Sequence, residues 1–204
     1  MPHRVLIEVL NRLAFLGEVQ ERRMFGGHGL YLDGDFFGLI DSKNALLYLR
    51  TDSTMAAERE AAGSWLFEPM EGKGTMNYTA ASPAVLDDPA RLAAWCDRAL
   101  RIARLKKETE ACSLNGMRNL NKNLTFFLLD AEIRSPKELR KLGAAAAFRK
   151  VLELGHEPEL RLLWAIDGAL SDQAAHHLSE ERKAELVAEL EDYLFDSGSM
   201  NSRS

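Results

Sequence analysis

The chain has 204 residues, of which 46% are hydrophobic and 28% charged, a globular composition long enough for one large domain or two small ones. A formal net charge of -5 and a pI near 5.6 exclude a general attraction to phosphate backbones, so any nucleic-acid contact must come from a local basic patch or through a partner. The amino terminus lacks the apolar core and cleavage site of a secretion signal, and no apolar run reaches membrane length. Both point to a cytoplasmic protein with no membrane partner.

Leu6, Val9, Leu10, Leu13 and Leu16 recur at helical spacing, and Gly17 follows where a left-handed residue ends a helix. The rhythm then changes. Short apolar runs at 29–32, 36–40 and 46–49 read as antiparallel strands, the first two joined by Asp33-Gly34, a pair suited to the positive φ of a tight hairpin. A short helix over 52–62, ended by Gly63, precedes two more strand candidates at 65–70 and 75–80. Asp88-Pro89 starts a helix, because the aspartate accepts free amides and proline needs no donor at the first helical position. Its apolar stripe is Leu92, Trp95, Cys96, Ala99, Ile102 and Ala103. The opposite side carries Arg91, Arg98, Arg101 and Arg104, a candidate binding surface, although exposed helix arginines more often form only a solvated face.

Charged and small residues over 107–119 predict a linker between a first domain at 1–106 and a second at 120–196, with a disordered tail at 197–204. The second half shows no strand rhythm. Helices are predicted over 123–131, 136–142, 144–154, 158–170 and 180–195. The expected fold class is therefore an α+β amino-terminal domain, an antiparallel sheet with flanking helices, followed by an all-α domain. Exposed apolar sheet edges in the first domain leave room for a homodimer.

The glycine-rich RMFGGHGLYLDGD at 23–35 lacks the Gly-Lys-Ser/Thr ending of a Walker loop and runs into a strand, so it offers no helix amino terminus for phosphate. Gly26, Gly27 and Gly29 suit a bulge or a close approach in the sheet instead. Cys96 and Cys112 have no metal-ligand spacing, and His28, His156, His176 and His177 are scattered, so neither metal nor cofactor is expected. No nucleophile elbow, cysteine–histidine pair or spaced carboxylate pair supports catalysis.

The most informative stretch is LTFFLLDAEIRSPKELRKLGAAAAFRK at 124–150. Ser135, Pro136 and Glu138 compose a capping box, and Gly143 allows one short helix to turn sharply into another. This is similar to a helix-hairpin-helix unit, whose turn amides meet phosphate without reading bases. Arg134, Lys137, Arg140, Lys141, Arg149 and Lys150 surround the turn, which serves either as a phosphate- or partner-contacting surface or only to pack helices.

RRMFGGHGLYLDGDFFGLI at 22–40, followed by LLYLR at 46–50, resembles the amino-terminal domain of the TfoX/Sxy family. The segment 114–194, above all IRSPKELRKLGA and LLWAIDGALSD, resembles the family's carboxy-terminal domain. The resemblance implies a non-enzymatic positive regulator of natural competence. The implied partners are the cyclic-AMP receptor protein, with RNA polymerase or promoter DNA as further candidates. One departure is Glu132-Ile133, where the family often has glycine-isoleucine. Competing readings are an autonomous DNA-binding protein using the helix-hairpin-helix-like module, and a small-molecule-sensing module built on the sheet.

Overall fold

A computed structural model of the chain describes residues 2–24, 26–70 and 72–200, with the side chains of 4–24, 26–70 and 72–192. It divides into two compact units, 1–104 and 105–204.

The first unit opens with α1 (Pro2–Arg12), which buries Leu6 and Val9, and a 3-10 turn (Ala14–Leu16) closed by Gly17. Six antiparallel strands follow: β1 (Gln20–Met24), β2 (Gly27–Leu32), β3 (Asp35–Asp41), β4 (Leu47–Arg50), β5 (Leu66–Phe67) and β6 (Met76–Ala80), in the spatial order β1-β2-β3-β4-β6-β5. The hairpin at Asp33-Gly34 has φ of 52° and 81°, the two positive values that a type I′ turn needs. Phe37 and Gly38 together oppose Leu30, a bulge that keeps both Phe37 and Ile40 facing the core. Gly27 lies so close to Ile40 O across the β2–β3 pair that a Cβ there would overlap it. Gly27 thus serves strand approach, as its strand-like context predicts, whereas Gly26 has φ 84° and open space where a Cβ would stand.

Between β4 and β5 lie a 3-10 turn (Ser53–Met55) and α2 (Ala56–Ala61); α3 (Pro83–Leu86) and α4 (Pro89–Ala111) follow β6. Asp88 caps α4 by accepting the amides of Ala90 and Arg91, each at 3.1 Å. The buried helix residues Leu6, Val9, Leu92, Trp95, Cys96 and Ala99 join Leu30, Phe37, Ile40, Leu47 and Leu49 in one core on one face of the sheet. A second, smaller cluster, Tyr48, Tyr78 and Ala80 with Phe36, Leu39 and Phe67, lies on the other face.

Two expectations need correction here. Of the two sheet edges, β1 is not apolar: all five of its residues are exposed and three of them, Glu21, Arg22 and Arg23, are charged, whereas the β5 edge consists of Leu66 and Phe67. The stretch 107–119 contains ordered helix, since α4 continues to Ala111 and a 3-10 turn (Ser113–Gly116) buries Leu114.

The second unit packs α5 (Lys122–Asp130), α6 (Pro136–Leu142), α7 (Ala144–Glu153), α8 (Arg161–Leu170) and α9 (Glu180–Met200), with a 3-10 turn at Ala175–His177. Its core gathers Leu114, Leu128, Leu139, Phe148, Leu163 and Ile166. α8 buries seven of its ten residues, which fits its apolar circumference. α9 extends to Met200, so the expected tail at 197–204 is helical for its first residues, and 201–204 lie outside the described residues. Within both units, no helix among the described residues is long and apolar enough to cross a membrane.

Candidate nucleic-acid and partner interface

The unit built around α6 begins at the end of α5. There Glu132 stands at φ 63°, the left-handed conformation that glycine takes at a helix end, and Ile133 N–H returns to Leu128 O at 2.8 Å. Glu132 therefore ends α5 in a left-handed turn although it is not glycine, and Ile133 is buried in the second core.

Ser135 caps α6: its Oγ accepts the Glu138 amide at 3.3 Å, with Pro136 at the first helical position. Glu138 reaches back one residue further than the capping box predicts, its Oε2 accepting Arg134 N–H at 2.7 Å. Arg134 is also held by its side chain, with Nη1 donating to Glu108 Oε2 at 2.6 Å. It is thus a structural tie at the start of α6.

α6 and α7 are joined by Gly143 alone, whose φ of 81° no other residue type adopts cheaply. Lys137, Arg140 and Lys141 lie at the three- and four-residue spacing that puts them on one side of α6, and all are exposed. Among the described residues, none of the three is held in an ion pair. The first turn of α7 has no side-chain cap, and Ala144, Ala145 and Ala146 there are buried. Further along α7, Arg149 is half-buried and paired with Glu153 at 3.4 Å, and Lys150 is exposed. The cations thus separate into an open group on α6, with Lys150 exposed on α7, and two residues, Arg134 and Arg149, engaged with carboxylates.

The arginine side of α4 is largely occupied by contacts within the first unit. Arg91 lies 3.9 Å from Asp88 and donates to Ala84 O at 3.3 Å. Arg98 pairs with Asp52, the residue that caps the turn after β4 by accepting Thr54 N–H at 3.1 Å. Arg104 pairs with Asp35 of β3 at 3.1 Å. Arg101 is exposed. Three of the four arginines of the expected stripe thus contact the first unit's own carboxylates or carbonyls, with Arg101 and Arg104 exposed.

Two arrangements have no motif in the sequence. His156 and Asp130, 26 residues apart, form a fully buried pair at 2.8 Å, with the rings of Phe126 and Phe127 against the imidazole. On the sheet, Arg22 and Arg50 lie over the rings of Tyr31, Phe36 and Tyr78. Among the other described histidines, His28 contacts Glu21 at 2.6 Å, and His176 lies beside His177, ring centroids 4.2 Å apart.

Comparison with known proteins agrees with the two-unit division of chemistry. Residues 11–103 match the TfoX N-terminal domain and residues 110–190 the TfoX C-terminal domain. The DNA transformation protein TfoX1 of Aliivibrio fischeri is 28% identical over 182 residues, spanning 86% of each chain. An uncharacterized protein from Listeria monocytogenes, known from its crystal structure, is 33% identical over 36% of this chain and 83% of its own, with a TM-score of 0.35.

Proposed function

The chain belongs to the TfoX family, and on that premise we propose that it is a positive transcriptional co-regulator of natural competence, acting with the cyclic-AMP receptor protein at promoters of DNA-uptake genes. The observation that carries this reading is the succession of both family domains over nearly the whole chain, shared with a relative whose name is DNA transformation protein. The charge distribution supports action through protein contact. In an acidic chain whose Arg98 and Arg104 are paired with Asp52 and Asp35, α6 presents a small open cationic patch, Lys137, Arg140 and Lys141, which suits a local contact with the receptor, RNA polymerase or promoter DNA better than wrapping a duplex. We assign it no catalytic role and no cofactor.

The test is transcription from a competence promoter, with and without this chain and with and without the cyclic-AMP receptor protein. Activation that requires both, and falls at least severalfold in the triple variant Lys137→Gln/Arg140→Gln/Lys141→Gln, is the expected result. An unchanged promoter in every background refutes the reading.

A second reading, autonomous DNA binding, draws on the uncapped first turn of α7 beside the α6 cations. Gel shifts without the receptor separate the two. Direct duplex binding that weakens steeply with salt and with neutralisation of Arg140, Lys141 and Arg149 favours the second.

A further inference from the structure

We propose that the face of the amino-terminal sheet that carries the Tyr48 and Tyr78 cluster binds single-stranded nucleic acid, with bases stacking on Tyr31 and Phe36 and phosphates meeting Arg22 and Arg50. The argument starts from strand alternation. In the first unit, the buried helix residues Leu6, Val9, Leu92, Trp95, Cys96 and Ala99 join the core on one face, whereas the cluster on the other face draws, among the described residues, on strands and their connections alone. That second face is aromatic. Tyr31 and Phe36 stack with centroids 5.1 Å apart, and Phe36 and Tyr78 follow at 5.7 Å.

The register brings cations to the same face. Arg22 pairs across the sheet with Gly29, and its guanidinium lies 4.5 Å from the Tyr31 ring centre. Arg50 sits 5.5 Å from the Phe36 ring and 5.3 Å from the Tyr78 ring, and its Nε donates to Phe36 O at 3.1 Å. Among the described residues neither guanidinium is in an ion pair. Gly29 makes the arrangement possible, because a Cβ there would stand 2.5 Å from Met24 Sδ, 3.1 Å from Tyr31 and 3.2 Å from Phe36. The centre of the face, Tyr48 and Tyr78, is buried, but the rings of Tyr31 and Phe36 are only half so, and Met24 and Met76 are 41% and 47% exposed.

Flat rings beside cations that have no carboxylate match a polyanion made of flat units. An acidic peptide would satisfy the guanidinium groups and leave the rings unused. A second copy of this face would cover the rings and set like charges against each other without a counter-charge. Single-stranded DNA or RNA satisfies both, and the open strand is required because paired bases keep their faces inside the duplex.

The experiment is fluorescence anisotropy of the full chain with fluorescein-labelled single-stranded dT and rU oligomers of about 12 nucleotides, and with a duplex of equal length. Neither receptor protein nor promoter is present, so failure here leaves the co-regulator reading standing, and the reverse also holds. The expected result is a preference for either single strand over duplex of about tenfold or more, a loss of about tenfold in Tyr31→Leu, and retention in Tyr31→Phe. Arg22→Gln, at an exposed position outside both cores, should lower the slope of log affinity against log salt by about one contact. Equal or tighter duplex binding, no binding, or full affinity in both Tyr31→Leu and Arg22→Gln overturns the proposal. So does self-association, measured by sedimentation, that Tyr31→Leu abolishes while no oligomer binds, since that assigns the face to a second copy.

Discussion

Replacing Glu132 with glycine should stabilise the second unit. Glu132 holds φ 63°, where the Cβ of any L residue crowds its own backbone at a cost of about 1–2 kcal/mol. Its side chain is exposed and, among the described residues, makes no hydrogen bond or ion pair, so truncation removes little. Against the relief stands the extra freedom glycine gives the unfolded chain, about 0.4–1 kcal/mol. The net gain is about 0.5–1 kcal/mol, which for a unit of this size raises the melting temperature by about 3–6 °C. Thermal unfolding followed by circular dichroism measures it, with Glu132→Ala as the decisive control, because alanine removes the carboxylate and keeps the strain. A glycine variant no more stable than the parent, or an alanine variant that matches it, refutes the reasoning.

Ser135→Ala removes the acceptor for the Glu138 amide and should cost about 1 kcal/mol in urea denaturation, with Ser135→Asp keeping most of it. Arg182→Met strips Asp167 of its guanidinium partner at 2.8 Å in a nearly buried position; a loss of about 2 kcal/mol is expected, partly recovered by adding Asp167→Asn. Burial pushes the Cys96 thiol from 9.0 up to about 12, so the folded state favours the protonated form; this contribution is full below pH 9 and lost as pH rises towards 12. Thiol labelling of the native chain should accordingly reach half-buried Cys112 well before Cys96, an order that unfolding abolishes.

Local chemistry was the readable part of this fold. Asp33-Gly34, Asp88-Pro89 and Ser135-Pro136 each mark an element boundary within the chain segment they belong to, and each is found doing so. β1 escaped because all five of its residues are exposed, which leaves no alternation to detect. The end of α4 was mistaken for linker because its core-facing side turns polar: Thr109 is buried there and satisfies its hydroxyl by donating to Leu105 O at 2.6 Å. The α6 cations were legible as a group, whereas the engagement of Arg98 with Asp52 and of Arg104 with Asp35 depends on partners 46 and 69 residues away. The aromatic face was hidden for a related reason. Tyr31, Phe36, Tyr48 and Tyr78 alternate with core residues such as Leu30, Phe37 and Leu49, so each run reads simply as apolar until pairing puts the rings side by side.

The charged outer strand bears on how the protein behaves when it is abundant. A sheet edge offers unpaired amides and carbonyls to any extended chain nearby, and a flat apolar edge would template fibre growth. Glu21, Arg22 and Arg23 in succession along β1 oblige an incoming strand to bury charge on both of its faces, so the edge discourages cross-β stacking while it stays open to water. Converting these three positions to valine or threonine would raise strand propensity and, by the same change, turn the protein's safest border into its aggregation hot spot.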